Sequence, residues 1–225
     1  MAGEQTLLPS QTLTVEAYSN ASGQSTTVHR KTFALLEALL NTGSANKPAF
    51  QELLTAPNPF SIVPLTATMD TQSFNCGLPD MNVCVRRDAH TPAHIKHPGA
   101  RSFAICDAGR VIGYRNERPL MVHCANAEAS ETDPAVAPIP LLTLVRLAVD
   151  QSAQGRGIGR ALLADCLRGL EDAKARFGAR GFFVHALSED VSSFYRKAGL
   201  RPALDTIDPL GFMATLADLA THARG

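Results

Sequence analysis

The sequence predicts a mixed α/β fold, in which helices cover a central sheet, and three features lead to that prediction. Two apolar runs, 141–150 and 182–187, have the length and composition of buried strands. Each is followed by a stretch with the apolar periodicity of a helix, 161–177 and 189–197 respectively. Ahead of them, two short apolar runs are joined by Asp107-Ala108-Gly109, which indicates a hairpin. Elements in this order predict a layered α/β domain.

Bulk composition limits the class of protein. The chain has 225 residues, 45% of them hydrophobic, and a formal net charge of zero, so any nucleic-acid binding must come from a local patch. The five cysteines are odd in number and none has CxxC spacing, which predicts reduced thiols and no metal site. No apolar run approaches the ~20 residues of a membrane span, and no signal peptide is visible. We therefore predict a cytoplasmic protein.

The first sixty residues read as an N-terminal extension, 1–60, ahead of a catalytic domain over 61–225. Residues 1–25 are polar and predict loose order, with one strand around 13–15. Apolar residues at helical spacing over 32–40 predict a helix that Asn41 and Gly43 end. Pro48 can begin a second short helix, which the prolines at 57 and 59 terminate.

A glycine-rich loop, 154–160, lies between the strand 141–150 and the helix that follows. Glycines at alternate positions let a ligand approach the backbone, and the first amides of a helix have no intrahelical partner. Together with the helix dipole they make an anion site, to which Arg156 and Arg160 add charge. The loop lacks the Gly-Lys-Ser/Thr of a P-loop and the G-x-G-x-x-G spacing of a dinucleotide site. The structural alternative is a strand-to-helix turn that binds nothing.

Gln154-x-x-Gly157-x-Gly159 resembles the acetyl-CoA loop of the GNAT acetyltransferases, and the resemblance extends over about residues 61–220. It implies a GNAT fold, a mixed central sheet splayed between two strands with helices on both faces. It also implies acetyl-CoA as the cofactor, with its pantetheine arm against the strand backbone. The implied cofactor-binding residues are Leu147, Val149, Gln154, Gly155, Arg156, Gly157, Ile158, Gly159 and Arg160.

The segment 193–200 resembles the F-Y-x-x-x-G-F segment of the same family, in which the tyrosine lies near the thioester sulfur. The resemblance makes Tyr195 the general acid that protonates the departing CoA thiolate. A phenol, with a reference pKa near 10, is protonated at neutral pH and suits that role. The alternative is a core residue of an amphipathic helix. The general base stays open between His185 and water.

Three further blocks, 74–87, 146–150 and 184–188, resemble the TacT-like GNAT toxins of toxin–antitoxin systems. Those toxins acetylate the α-amino group of an amino acid esterified to tRNA, which blocks translation, and they are commonly homodimers. The resemblance therefore implies an N-acetyltransferase that accepts aminoacyl-tRNA. A basic cluster supplies candidate RNA-binding residues, Arg86, Arg87 and Lys96, although a solvated polar face is an equal alternative.

One segment departs from that pattern. Arg115, Glu117 and Arg118 stand where the relatives carry mostly apolar or small residues. We expect these charges beside the acceptor side of the site, where they would affect acceptor choice or activity itself.

Residues 26–60 resemble the C-terminal neutralising tail of the partner ribbon-helix-helix antitoxins, in the Phe33-x-x-Leu36-Glu37 pattern and in Pro57-Asn58-Pro59-Phe60. This suggests a neutralising segment fused to its own toxin, with high effective concentration through the tether. The side chains expected to hold it on the domain are Phe33, Leu36, Leu40, Phe50, Leu53 and Leu54. The alternative is an ordinary stabilising extension.

Two other functions remain compatible with the residues. The chain could be an N-acetyltransferase for a small amine or a protein N-terminus, which would ignore charged tRNA. It could also be a catalytically silent acetyl-CoA-binding regulator, a reading that the charged 115–118 segment favours. Turnover with a defined acceptor separates the three.

Overall fold

The computed structural model describes residues 25–28, 30–43, 47–91, 93–124, 137–204 and 208–220. The strand expected around 13–15 lies outside these ranges. The strands are β1 Ser25–Val28, β2 Val63–Pro64, β3 Arg101–Asp107, β4 Arg110–Cys124, β5 Ile139–Val149, β6 Gly181–His185, β7 Arg201–Leu204 and β8 Asp208–Thr215. The helices are α1 Arg30–Thr42, α2 Lys47–Thr55, α3 Pro79–His90, α4 Ala93–Lys96, α5 Ile158–Arg168, α6 Leu170–Phe177, α7 Glu189–Lys197 and α8 Leu216–Ala220. Within the described ranges, no helix has both the length and the apolar character that crossing a bilayer requires.

The strands form one mixed sheet in the order β2-β3-β4-β5-β6-β8-β7, and β1 pairs with the far end of β4. The β5–β6 and β1–β4 pairs are parallel and the other neighbours are antiparallel. A parallel neighbour requires a crossover, which α5 and α6 provide between β5 and β6. The predicted mixed α/β sheet is confirmed.

The two central strands separate partway along their length. β5 pairs with β6 only over Leu141–Leu144, although β5 continues through Val149. A bulge begins at this point, because Glu117 pairs with Leu144 whereas Asn116 pairs with Arg146, which leaves Val145 without a partner on β4. A bulge adds twist to a strand, and the twist directs the second half of β5 away from β6. The predicted splay is therefore present, between the strands expected to carry it.

Alternate residues of the strands face two separate cores. Phe182 packs in the core beneath α5 and α7, whereas its neighbour Phe183 packs in the core beneath α1. A third core joins α3 to Tyr114 and Ala148. Because β-strand side chains alternate between faces, helices cover the sheet on both sides.

The two N-terminal helices form where the sequence predicts them, and both pack on the sheet domain. Gly43 follows α1 with a φ of 82°, a conformation that favours glycine at a helix end. The six apolar side chains expected to hold the segment are all at most 7% exposed, namely Phe33, Leu36, Leu40, Phe50, Leu53 and Leu54. α1 joins the core beneath Phe183, and α2 joins the core beneath Phe182. The division into domains at residue 60 stays a prediction.

Candidate active site

A cleft of about 570 Å³ lies where β5 and β6 diverge. The residues that line it come from both strands, from the segment before α3 and from α7. They are Cys76, Leu78, Met81, Leu144, Val145, Arg146, Leu147, Ala148, Val149, Gln154, Val184, His185, Ala186, Leu187, Val191 and Tyr195. The lining is mostly apolar, and Arg146 is its one lysine or arginine among the described residues.

The cleft passes from one face of the sheet to the other. Leu147 packs with the cores beneath α5 and α7, whereas Ala148 packs with the core beneath α3. Tyr195 belongs to the α7 side, and Arg146 contacts Asp88 on the α3 side. Two different groups can therefore approach the same point between the strands from opposite faces.

The end of β5 is anchored by Asp150. Its carboxylate accepts hydrogen bonds from the backbone N–H of Ser152 at 3.0 Å and from that of Asn75 at 2.9 Å. Burial alone would raise the pKa of Asp150, but the hydrogen bonds from Ser152 and Asn75 hold it below the ordinary value. The side chain stays charged and ties the segment before α3 to the start of the glycine loop. The sequence offered no signal for this pairing beyond an aspartate at a strand end.

The glycine loop has the backbone that an anion site needs. Gly155 and Gly157 adopt φ values of 76° and 83°, and a Cβ at either position would meet nothing within 4 Å, so the loop is open. Gly157 is the N-cap of α5 and supplies no side-chain cap to the first helical amides. Those amides are oriented outward by the helix geometry. Gln154 lines the cleft, and its side-chain amide donates to the carbonyl of Val149 at 3.1 Å.

Arg156 and Arg160 flank the loop on the side of α2. Arg156 is exposed, and Arg160 forms an ion pair with Glu52 of α2 at 3.3 Å. Both arginines border a second crevice of about 270 Å³ between the start of α5 and residues 56–60. The N-terminal segment therefore reaches the edge of the candidate phosphate site, but none of its described residues lines the cleft itself.

Tyr195 lies on α7 and lines the cleft, with 5% of its surface exposed. Its ring packs against the ring of Phe212 with centroids 5.6 Å apart, which fixes the orientation of the phenol. Burial raises the pKa of Tyr195 well above its ordinary value, so the hydroxyl keeps its proton. His185, the other candidate for proton transfer, lines the same cleft from the end of β6.

The candidate RNA-binding residues lie on α3 and α4. Arg86 is half-buried, and Arg87 donates from Nε and Nη2 to the carboxylate of Asp88 at 3.1 and 3.0 Å. Lys96 ends the short α4, and its side chain is outside the described part of the structure. An RNA contact through these three residues stays a prediction.

The structure differs from the expectation for the charged segment 115–118. None of its residues lines the cleft. Instead Arg115 and Glu117 are buried beneath α5, where Arg115 contacts Glu117 and donates to Asp165 at 2.5 Å. Glu117 also accepts hydrogen bonds from Arg101 at 2.8 Å and from the Cys166 thiol at 3.1 Å. The expectation is therefore wrong for Arg115 and Glu117, whose side chains take the α5 face of β4 and alter the core instead of the acceptor side.

The comparisons with known proteins agree with this geometry. Residues 99–201 match the model of the "Acetyltransferase (GNAT) domain" family. The chain is 33% identical over 149 residues to a tRNA-acetylating toxin of Mycobacterium tuberculosis, a match that covers 66% of this chain and 87% of that protein.

Two solved structures of the AtaT toxin share the fold. AtaT complexed with acetyl-methionyl-tRNAfMet matches with a TM-score of 0.58 and 26% identity, over 72% of this chain and 98% of that one. A mutant AtaT bound to the C-terminus of the antitoxin AtaR and to acetyl-CoA matches with a TM-score of 0.55 and 26% identity, over 74% of this chain and 100% of that one.

The splayed sheet, the glycine loop before α5 and these similarities confirm the predicted GNAT fold, the acetyltransferase activity and acetyl-CoA as the cofactor. The chain belongs to the GNAT acetyltransferases, in the family of the tRNA-acetylating toxins of toxin–antitoxin systems.

Proposed function

We propose that this protein transfers the acetyl group of acetyl-CoA to the α-amino group of aminoacyl-tRNA and so blocks translation. The observation that carries the proposal is a cleft open to both faces of the sheet, with Tyr195 on one side and Arg146 on the other. A relative 33% identical is a tRNA-acetylating toxin, and AtaT has been captured with acetyl-methionyl-tRNA. We propose in addition that the protein works as a homodimer in the cytoplasm, where charged tRNA is found.

Within this proposal each predicted site residue has a role. The backbone of Leu147 and Val149 holds the pantetheine arm, and the loop from Gln154 to Arg160 holds the pyrophosphate. Gly155 and Gly157 suit that task because nothing crowds the space above them. Arg86, Arg87 and Lys96 stay candidates for contacts with the RNA backbone.

The chemistry requires one proton to be delivered. Acetyl-CoA supplies an acetyl thioester, whose carbonyl carbon the neutral amine attacks. Tyr195 donates its phenolic proton to the departing thiolate, and burial keeps that proton on the oxygen until then. Water or His185 removes the excess proton of the amine.

The first experiment uses acetyl-labelled acetyl-CoA with bulk charged tRNA and, separately, with free amino acids and polyamines. Label that enters charged tRNA, and is released with the amino acid when the ester is hydrolysed, supports the proposal. Transfer to the small amines instead identifies a small-amine acetyltransferase. Binding of acetyl-CoA without transfer to any acceptor identifies a silent regulator.

We further propose that residues 26–60 act in cis as an antitoxin-like segment. Their six apolar side chains are buried on the domain, and Arg168 donates to the carbonyl of Leu54 at 2.9 Å, which fixes the end of α2. Glu52 neutralises Arg160 at the first turn of α5. The proposed inhibition therefore acts at the edge of the phosphate site and leaves the cleft open. The solved complex that holds acetyl-CoA together with the antitoxin C-terminus is compatible with such a mode.

Proteolytic cleavage of the folded protein tests whether residues 26–60 inhibit the enzyme. A protease site inserted directly after Asn58 leaves the six buried side chains of the segment in place until the protease is added. We expect activity to rise after cleavage and dilution, and to fall again when a peptide of residues 26–60 is added in excess. Unchanged activity after cleavage would identify the segment as a structural cover.

A point substitution separates the ion pair from the apolar docking. Glu52→Gln should lower the KM for acetyl-CoA by up to about fivefold, because Arg160 becomes available to a phosphate. Glu37→Gln is the matched control, since Glu37 belongs to the same segment but pairs with Arg180, at 3.4 Å. An equal effect of the two variants would contradict the role of Glu52.

A further inference from the structure

Among the described residues, the acceptor side of the cleft carries one arginine, whose setting differs from that of an ordinary surface cation. Arg146 lies on β5 two residues past the last β5–β6 pair, and 27% of its side chain is exposed. Its guanidinium points toward α3, away from Tyr195 and the glycine loop. A positive charge at this point is available to whatever enters the cleft from the acceptor face.

A buried carboxylate holds Arg146 there. Asp88 on α3 is 8% exposed and lies 3.8 Å from Nη1 of Arg146. The same carboxylate accepts the hydroxyl of Tyr114 at 2.5 Å and the guanidinium of Arg87 at 3.0 Å. Tyr114 is fully buried, and burial followed by the charge of Asp88 raises its pKa, so it remains a donor. The position of Asp88 is therefore fixed by groups other than Arg146.

The ion pair with Asp88 orients the Arg146 guanidinium but does not use up its hydrogen-bond donors. At 3.8 Å it is an ion pair but lies beyond hydrogen-bond distance, and a guanidinium has five N–H donors. Asp88 directs its two short bonds to Tyr114 and Arg87. Arg146 is thus oriented by charge while most of its donors can serve a ligand. A planar pair of N–H groups matches the two oxygens of a phosphate.

We propose that Arg146 binds the phosphodiester group that precedes the terminal adenosine of the acceptor, and that Asp88 positions it. This rests on the proposed function, because an aminoacyl ester enters with its amine toward the thioester. Its carboxyl group is esterified and carries no charge, so the nearest anion is the phosphate on the 5′ side of the terminal ribose. Arg146 is the one lysine or arginine among the described residues of the cleft lining, and apolar Leu78 and Met81 border the cleft beside it.

The test compares two small acceptors, of which only one carries this phosphate. One is an aminoacyl-adenosine with a stable amide in place of the ester, and the other is the same molecule with a 5′-linked cytidylate. We expect the native protein to favour the cytidylate-bearing acceptor in kcat/KM by about tenfold or more, mainly through KM. Arg146→Gln should bring this preference to about one, because kcat/KM falls much more for the cytidylate-bearing acceptor than for the acceptor without phosphate.

Two control variants and a binding measurement show whether an effect of Arg146→Gln comes from the lost phosphate contact. Arg146→Lys, which keeps the charge but loses the planar pair of donors, should retain part of the preference. Arg176→Gln removes an arginine from α6 that pairs with Asp172, and should leave the preference intact. Acetyl-CoA affinity reports that the cleft has folded in each variant.

Each result has one meaning. A native preference that survives in Arg146→Gln overturns the inference, as does the absence of a preference in the native protein. A free amino acid that serves as acceptor and loses activity in Arg146→Gln would show a carboxylate site instead, which also overturns it. No transfer to either nucleoside acceptor or to charged tRNA would count against the proposed function itself.

Discussion

Replacing Tyr195 with phenylalanine is expected to lower kcat for acetyl transfer by about 10²- to 10³-fold, with acetyl-CoA affinity nearly unchanged. The substitution removes one oxygen and keeps the ring, which packs on Phe212 with centroids 5.6 Å apart. The shape of the cleft is therefore preserved while the proton donor is lost. Rates measured at saturating acceptor, with calorimetric binding of acetyl-CoA, separate the two effects.

Tyr114→Phe is the matched control, because it removes the same atom from the other tyrosine in the described part of the chain. The hydroxyl of Tyr114 donates to Asp88 at 2.5 Å beneath α3, on the side away from Tyr195. Its loss should lower the free energy of unfolding by about 1–2 kcal/mol, with little change in kcat. A kcat reduced equally by both variants would contradict the role of Tyr195 as acid.

The pH dependence follows from the direction of the Tyr195 shift. Burial raises the pKa of this phenol, so the protonated form that donates is present throughout the range in which the acceptor amine loses its proton. The rate should rise with pH as the amine becomes neutral and then stay level to about pH 10. A descending limb below about pH 9 in the native protein would show that the acid is a group with a lower pKa.

The parts of the site that could be predicted from the sequence are those that depend only on residues close together in the chain. Gly155 and Gly157 adopt positive φ values, which favour glycine. The apolar pattern predicts the strand before them and the helix after them. Tyr195 lies in a helix whose N-cap, Ser188, accepts a hydrogen bond from the backbone N–H of Val191 at 3.4 Å. The helices α1 and α2 follow equally from periodicity, proline and glycine.

The contacts that join distant segments were not predictable in the same way. Arg146 on β5 and Asp88 on α3 are far apart in the chain, and only the packing of α3 on the sheet brings them together. The face taken by Arg115 and Glu117 depends on which way the strand side chains point, and a bulge at Ile112 in the β3–β4 ladder shifts that pattern along β4. A one-residue change in register reverses the face of every later side chain, so composition alone placed these charges on the wrong side.

The charged cluster beneath α5 provides the second large effect, on stability. Glu117→Gln is expected to lower the free energy of unfolding by about 3–5 kcal/mol, because it leaves the Arg115 guanidinium, 3% exposed, without its buried partner. The same change weakens the bonds that Glu117 accepts from Arg101 and from the Cys166 thiol. Burial raises the pKa of that thiol well above its ordinary value, so it remains a donor at neutral pH. Urea unfolding, followed by the shift in midpoint, measures the loss.

Asp172→Asn is the control for the Glu117 substitution, since Asp172 also pairs with Arg101, at 3.3 Å, but is 55% exposed. Its cost should stay below about 1 kcal/mol. The double variant Arg115→Met with Glu117→Leu should recover much of the loss, because an apolar pair of similar volume needs no compensating charge. If Glu117→Gln proves no more destabilising than Asp172→Asn, the buried charge of Glu117 does not stabilise the fold. If instead the double variant is as unstable as Glu117→Gln, then packing and hydrogen-bond geometry outweigh charge at this position.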